Sequence, residues 1–416
     1  MVNTGQPSRG CAICKKRKIK AGDEATQYTY DYQDQPLSLS PRGTNEYLPG
    51  LLNQPEATEA FKAIVTATGL AAMANAGHSM TWRAEAYSLY SKAIGHLRTD
   101  LSDPVRSKLD DTLATVMLMG TFEIVASGDA ASMRTFGQHT IAAAHCIEMR
   151  GRTQFRSERA VRLFVQLRRV IRWSQWAEAS QLPDEVPANR FSEINARLAA
   201  VRSEIKRNRI TSPAVVTARL LKFDAEFEAW RRDLPLSWQY RSYRSMGSTD
   251  GESGDFDGQY DMYPDVWIAS NWNSYRSTRL MIHEGIITAT LKYGSSEEKS
   301  NLSESIEVLK KVTTEICSSV AYLLGYRRRG FKVCTAKADS RTGNPTPGGY
   351  LILWPLFLAG MLRTTAKPQR AWITDKLKRI GTIMGIHLAV SMARVLEEHN
   401  KSFSDEEVWL IGEFYP

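Results

Sequence analysis

The sequence predicts an all-α protein: one large domain of antiparallel helix pairs behind a basic, mostly disordered N-terminal segment. Apolar residues recur three or four positions apart over most of the chain, the spacing of one helix face. Few segments alternate with period two. The periodic stretches run to about 20 residues and are separated by short turns, which favours helical hairpins.

Residues 1–50 are polar and rich in Gly, Pro, Ser and Gln, without sustained apolar periodicity. They read as a disordered head and linker, which sets domain boundaries at 1–50 and 51–416. Helices are expected at 54–75 and 79–98. The stretch "DPVRSKLDDTLATVMLMGTFEIVASGD" (103–129) predicts a third. Asp103 suits an N-cap, Pro104 the first helical position and Gly128 the end. Val105, Leu109, Leu113, Val116, Gly120 and Ile124 would form its buried stripe. Further helices are expected at 130–149, 157–180 and 264–292. In "LSESIEVLKKVTTEICSSVAYLLG" (302–325), Ser303 should cap, and Ile306, Leu309, Val312, Ile316, Val320 and Leu323 should face the core. The last helices are expected at 369–384 and 387–399. Exposed loops are expected near 240–262, within "RSMGSTDGESGDFDGQYD", and near 335–349.

Composition narrows the function classes. The 416 residues are 43% hydrophobic and 24% charged, as in ordinary globular proteins. The longest apolar run, "YLILWPLFLAGML" (350–362), is too short for a membrane span and contains Pro355. The N-terminus lacks an apolar signal core, so an intracellular protein without membrane contact is expected. Five cysteines do not make a disulfide framework. Cys146, Cys317 and Cys334 read as small reduced core or loop residues. The net charge is +9, and Arg9, Lys15, Lys16, Arg17, Lys18 and Lys20 precede the first acid, Asp23. So concentrated a basic head fits a nucleic-acid contact or a nuclear-import signal.

That head opens with "RGCAICKKRKIKAGDE" (9–24). Cysteines separated by two residues can point both thiolates at one zinc ion. Basic residues behind them would then face phosphates or base edges. The string "CAICKKRKIK" resembles the first half of the fungal zinc binuclear cluster, patterned C-x2-C-x6-C-x5–12-C-x2-C-x6–9-C. The blocks "MLMGTFEIVASGD" (117–129), "RGRTQFRSERAVRLFVQLR" (150–168), "YPDVWIASNWNSYRSTRLMIHE" (263–284), "GGYLILWPLFLAGM" (348–361) and "RAWITDKLKRIGTIMGIHLAVSMARVLE" (370–397) are similar to the helical regulatory region of one subgroup of these regulators. The resemblance implies a nuclear, DNA-binding regulator of RNA polymerase II transcription, not an enzyme. It implies zinc as cofactor, CGG-type half-sites, a homo- or heterodimer and contact with the transcription machinery. Cys11 and Cys14 would be the first two zinc ligands. Lys18 sits where a base-contacting lysine lies in the family, and Lys15, Lys16, Arg17 and Lys20 would reach phosphates or assist reading.

The sequence departs from the pattern at Ala21, where the third cysteine belongs, and no cysteine follows before Cys146. Two thiolates cannot hold two zinc ions that share six. No histidine precedes His78, and Asp23 and Glu24 are hard oxygen donors ill-suited to replace sulfur. Metal binding supplies the folding free energy of small zinc modules, on the order of 10 kcal/mol. A head with two ligands should therefore be unfolded in isolation. Either an in-frame segment is missing near Ala21 or the head has degenerated; an intact motif on one side and unrelated sequence on the other favour the former. The alternative function is a helical interaction or effector-binding protein without DNA binding.

Other motifs have plainer readings. "GHSM" (77–80) resembles the start of a hydrolase nucleophile elbow, but that motif needs a preceding strand and a second glycine. Thr81 stands in that glycine's place, so Ser79 is expected to cap the next helix. His139 and His145, six apart, fall on different helix faces, and the other histidines are isolated. In "RSERAVRLFVQLRRVIRWSQWAE" (156–178), arginines alternate with Phe164, Trp173 and Trp176, as in an amphipathic helix with buried aromatics. "YRRRG" (326–330) reads as a basic helix end.

Overall fold

The computed structural model describes residues 48–155, 160, 161, 163, 164, 167, 186–207, 212–244, 255–300, 302–326 and 348–399. Among the described residues the fold is all-α apart from one two-stranded hairpin. The chain divides into two compact units. One holds Asn45–Leu163 with Met384–Leu388, the other Phe164–Ile383 with Ala389 onward.

Among the described residues the first unit starts with α1 (Leu48–Leu52), which overlaps the end of the span read as linker; Leu48 and Leu51 are both buried. Two hairpins follow. Helix α2 (Glu59–Ala76) turns through Gly77–Ser79 into α3 (Met80–Ser102), and α4 (Asp110–Ala126) turns through Ser127–Asp129 into α5 (Ala130–Arg150). Each turn supplies the cap of the next helix. Ser79 accepts from the Trp82 amide at 3.3 Å and Asp129 from the Ser132 amide at 2.7 Å, satisfying donors that helix starts leave orphaned. Ser79 thus caps as expected.

The stretch 103–129 corrects the sequence expectation. Asp103 caps a single 3₁₀ turn, Arg106–Lys108, through the Val105 and Arg106 amides, and α4 begins only at Asp110. Val105 and Leu109 are consequently exposed, whereas Leu113, Val116, Gly120 and Ile124 are buried. Asp103 Oδ1 accepts both amides of the turn, and the helix starts seven residues later.

The segment Met384–Leu388 belongs to this unit because two glycines let it approach. Gly385 (φ 66°) and Gly128 (φ 71°) hold left-handed backbone. A Cβ on Gly385 would lie 1.9 Å from the Ala72 carbonyl oxygen, and one on Gly128 would lie 2.3 Å from the Leu388 Cα. Asn75 Nδ2 donates to the carbonyls of both Val125 (2.7 Å) and Gly385 (2.9 Å), tying the segment down.

The second unit contains two helices absent from the sequence expectation, α6 (Val186–Lys206) and α7 (Pro213–Arg232). Pro213 at the start of α7, with Val216, Leu220, Phe223, Phe227 and Trp230 spaced by three and four, was the available signal. Strands β1 (Arg241–Arg244) and β2 (Gln259–Met262) pair antiparallel, Arg241 opposite Met262. The two ends of the expected loop are thus a hairpin, and Asp261 is buried.

Then come α8 (Val266–Tyr293), α9 (Ser296–Ser300), α10 (Ser303–Leu323), α11 (Gly348–Met361), α12 (Lys367–Met384) and α13 (His387–His399). Leu302, not Ser303, occupies the cap of α10, and no side chain bonds there. Its stripe is buried as expected except for half-exposed Ile306. The core is aromatic: Phe191, Phe227, Trp230, Trp272 and Tyr275 have ring centroids 5.3–6.1 Å apart. Arg370 closes the end of α11 by donating to the carbonyls of Gly360, Leu362 and Thr365.

Of the helix expected at 157–180, the structure describes Ala160, Leu163, Phe164 and Leu167 as buried. Trp173 and Trp176, the loop 335–347 and residues 327–330 lie outside the described residues.

Candidate functional site

The seven residues singled out for zinc and DNA (Cys11, Cys14, Lys15, Lys16, Arg17, Lys18 and Lys20) also lie outside the described residues. Among the described residues, no group of three or more His, Cys, Asp or Glu could hold a metal ion. Cys146 and Cys317 are free and buried. Burial pushes their thiols up to about 11 and about 12, which keeps them protonated at neutral pH.

The densest polar constellation runs along α8. Asn273, Arg276, Arg279 and His283 follow at spacings of three, three and four, one face of the helix. Arg276 is fully buried. Its Nη1 donates to the Tyr263 hydroxyl (2.5 Å) and Asn273 Oδ1 (3.1 Å), and its Nη2 lies 3.2 Å from Asp261 Oδ2 on β2. Its Nε lies 3.4 Å from Glu315 on α10. The guanidinium also stands 4.9 Å from the Tyr240 ring centroid and 5.7 Å from that of Trp272. A buried charge is tolerable only when paired and hydrogen-bonded, and Arg276 is both.

One turn along, Arg279 makes a bidentate pair with Asp224 (2.7 and 2.9 Å) and reaches Glu228 at 2.6 Å. Tyr275 also donates to Glu228. His283 Nε2 stands 3.4 Å from Asp224, with its Nδ1 3.1 Å from the Ser305 hydroxyl. Burial drives the Asp224 carboxyl upward, but hydrogen bonds from His283 and Arg279 and their charge outweigh it and hold the group down at about 2. This ladder ties α7, β2 and α10 to α8. Most of its donors meet protein acceptors, while Arg276 Nε and His283 Nε2 reach their acids only at ion-pair distance, 3.4 Å each, so the arrangement serves as a scaffold.

Little in the sequence marks this ladder: His283 is isolated from other histidines, and Arg276 and Arg279 stand only inside a block of family resemblance. Arginines three apart amid Trp and Tyr were a signal, but Asp224 and Glu315 lie tens of residues away.

In the first unit, the Tyr90 hydroxyl on α3 donates to Glu123 on α4 at 2.7 Å and stands 3.2 Å from His139 Nε2 on α5. Its ring stacks on Phe122 with centroids 4.3 Å apart. Burial, then the Glu123 carboxylate, raises the Tyr90 hydroxyl above its ordinary range, and burial lowers His139. Both are neutral near pH 7. The group joins three helices without a developed nucleophile. Ser79 accepts the Trp82 amide ahead of a helix, a setting unlike a strand-borne elbow.

No described helix is long and apolar enough to cross a membrane. No curated protein and no solved structure matches the chain. Residues 43–180 match the family model of the fungal specific transcription factor domain, which covers α1 to α5 and extends beyond Leu167. The match supports a place for this chain among the regulators of transcription in fungi.

Proposed function

We propose that the chain is a nuclear regulator of RNA polymerase II transcription of the zinc-cluster type. Its N-terminal head derives from a DNA reader, and its helical body serves regulation and contact with the transcription machinery. The observation that carries this reading is the coincidence in one chain of "CAICKKRKIK" with the transcription-factor match at 43–180. In an intact head, Cys11 and Cys14 would be two of six thiolates. Lys18 would read bases in CGG-type half-sites, and Lys15, Lys16, Arg17 and Lys20 would contact phosphates, in a homo- or heterodimer. The donor set present does not fit a binuclear cluster: Ala21 replaces the third sulfur, and no further cysteine follows until Cys146. Specific DNA reading therefore requires cysteines that this sequence lacks.

The transcript across codons 18–32 and a DNA titration test the proposal together. An in-frame segment carrying four cysteines should restore zinc-dependent preference for a CGG duplex over a scrambled one. The 416-residue chain should bind both duplexes alike and weakly. If those four basic residues meet phosphates, log affinity should fall with log salt at a slope of about −4. The break at Ala21 favours a second reading, a helical interaction or effector-binding protein without DNA binding. An uninterrupted transcript, with no specific binding with or without zinc, would establish that reading instead.

A further inference from the structure

Helix α6 carries a cation on its inward face. Its buried residues are Ala188, Phe191, Ile194 and Leu198. Arg202 lies four positions beyond Leu198 and eleven beyond Phe191, which places it on the same face. Ion pairs fix the register of α6 against α7: Arg190 with Asp233 at 2.7 Å, Arg197 with Glu226, and Glu204 with Arg219 at 2.9 Å. That register sets Arg202 level with Leu220 and Leu221, where α7 offers apolar side chains. Leu220 is buried and Leu221 is 43% exposed, so this level is the rim of the α6–α7 seam.

Arg202 finds no acceptor there. Among the described residues it takes part in no hydrogen bond, ion pair or ring contact, and no charged group lies within reach of it. Arg276 and Arg279, by contrast, each meet two acids. An arginine stem on an apolar surface commonly keeps its charged head in water. Arg202 does not, because burial alone lowers its pKa, the mark of a guanidinium that has lost hydration. The residue is nevertheless only half-buried, and none of its nitrogens is sealed. A dehydrated charge that cannot shed its proton calls for a counter-ion. The chain supplies none, and the rim leaves a way in.

We propose that Arg202 binds the carboxylate of a small organic acid with an apolar body. One guanidinium presents a planar fork that matches one carboxylate, whereas a phosphate dianion calls for more than one cation. The leucines at this level suit an apolar remainder. The inference rests on the effector-binding reading of the helical body, and neither zinc nor DNA enters it. An effector of other chemistry would leave Arg202 without a role, so the test can fail while that reading stands.

Calorimetric titration and thermal melting of the full chain test it with octanoate as the probe and octanol and acetate as controls. Octanoate should bind and raise the melting temperature, and each control should bind about tenfold more weakly or less. Arg202→Met should weaken octanoate binding by about tenfold or more. It should also raise the melting temperature of the unliganded chain, because it removes an unpaired, dehydrated charge. A lower melting temperature would mean that the fold already pairs Arg202, and would overturn the proposal. So would a wild-type chain that ignores octanoate, a control that binds as well, or an Arg202→Met chain that binds octanoate like the wild type.

Discussion

Helices α3 and α8 are both long, 23 and 28 residues, and obey opposite rules. Helix α3 buries four residues, leaving apolar side chains at the surface. Helix α8 buries twenty-one, among them two arginines, a histidine, two asparagines and several hydroxyls. What separates them is the number of packed faces. Helix α3 lies along α2 and meets α4 and α5 through Tyr87 and Tyr90, whereas α7, α10 and α11 all pack on α8. A helix enclosed on several sides must satisfy its polar groups internally, and the Arg276–Arg279–His283 ladder does so with acids from α7, β2 and α10.

The largest effect should come from breaking that ladder. Arg276→Met would leave Asp261 buried without its cation, at a cost of about 3–5 kcal/mol. Urea unfolding followed by tryptophan fluorescence should show it, and adding Asp261→Leu should recover part of the loss. Complete tolerance of Arg276→Met would mean that the ladder merely fills space.

A smaller effect should appear in acid. Asp224 titrates near 2 when folded, against an ordinary value of 3.8. Its folded value is depressed, so its contribution is present above about pH 4 and lost as pH falls toward 2, roughly 2 kcal/mol in all. Asp224→Asn should flatten the stability–pH curve in that window. A curve of unchanged slope would place the acid sensitivity elsewhere, for instance in Glu228, which its partners also hold low.

The smallest effect sharpens the other side of the comparison. Ser79→Ala removes the cap of the lightly packed α3 and should cost about 1 kcal/mol. Hydrogen exchange should accelerate in the first turn of α3 while the α8 amides stay protected. An effect spread across both units would mean that α3 is less independent than its sparse packing implies.

Much of the fold was legible in particular residues. Ser79 and the stripe from Leu309 to Leu323 behaved as their spacing implied, because capping and amphipathic periodicity are local. The stretch 103–129 misled because a turn and a helix start share the same signals: Asp103 Oδ1 accepts the amides of a 3₁₀ turn, and α4 starts at Asp110. Helices α6 and α7 lie outside the helices the sequence predicts, although Pro213 and its apolar series mark one of them. The cysteine–lysine head was legible as a motif from the spacing of Cys11 and Cys14, and so was its defect at Ala21.

By itself the sequence determined the helical class, most helix positions and the incompleteness of the zinc head. These follow from period, capping chemistry and ligand count, all short-range properties. Tertiary structure alone decided that Arg276 is interior while Ile94 is exposed, and that Asp261, beside a glycine-rich loop, anchors a hairpin to α8. The physical reason is that burial and ion pairing depend on partners distant in the chain, such as Asp224 and Glu315, which only packing brings to the arginines.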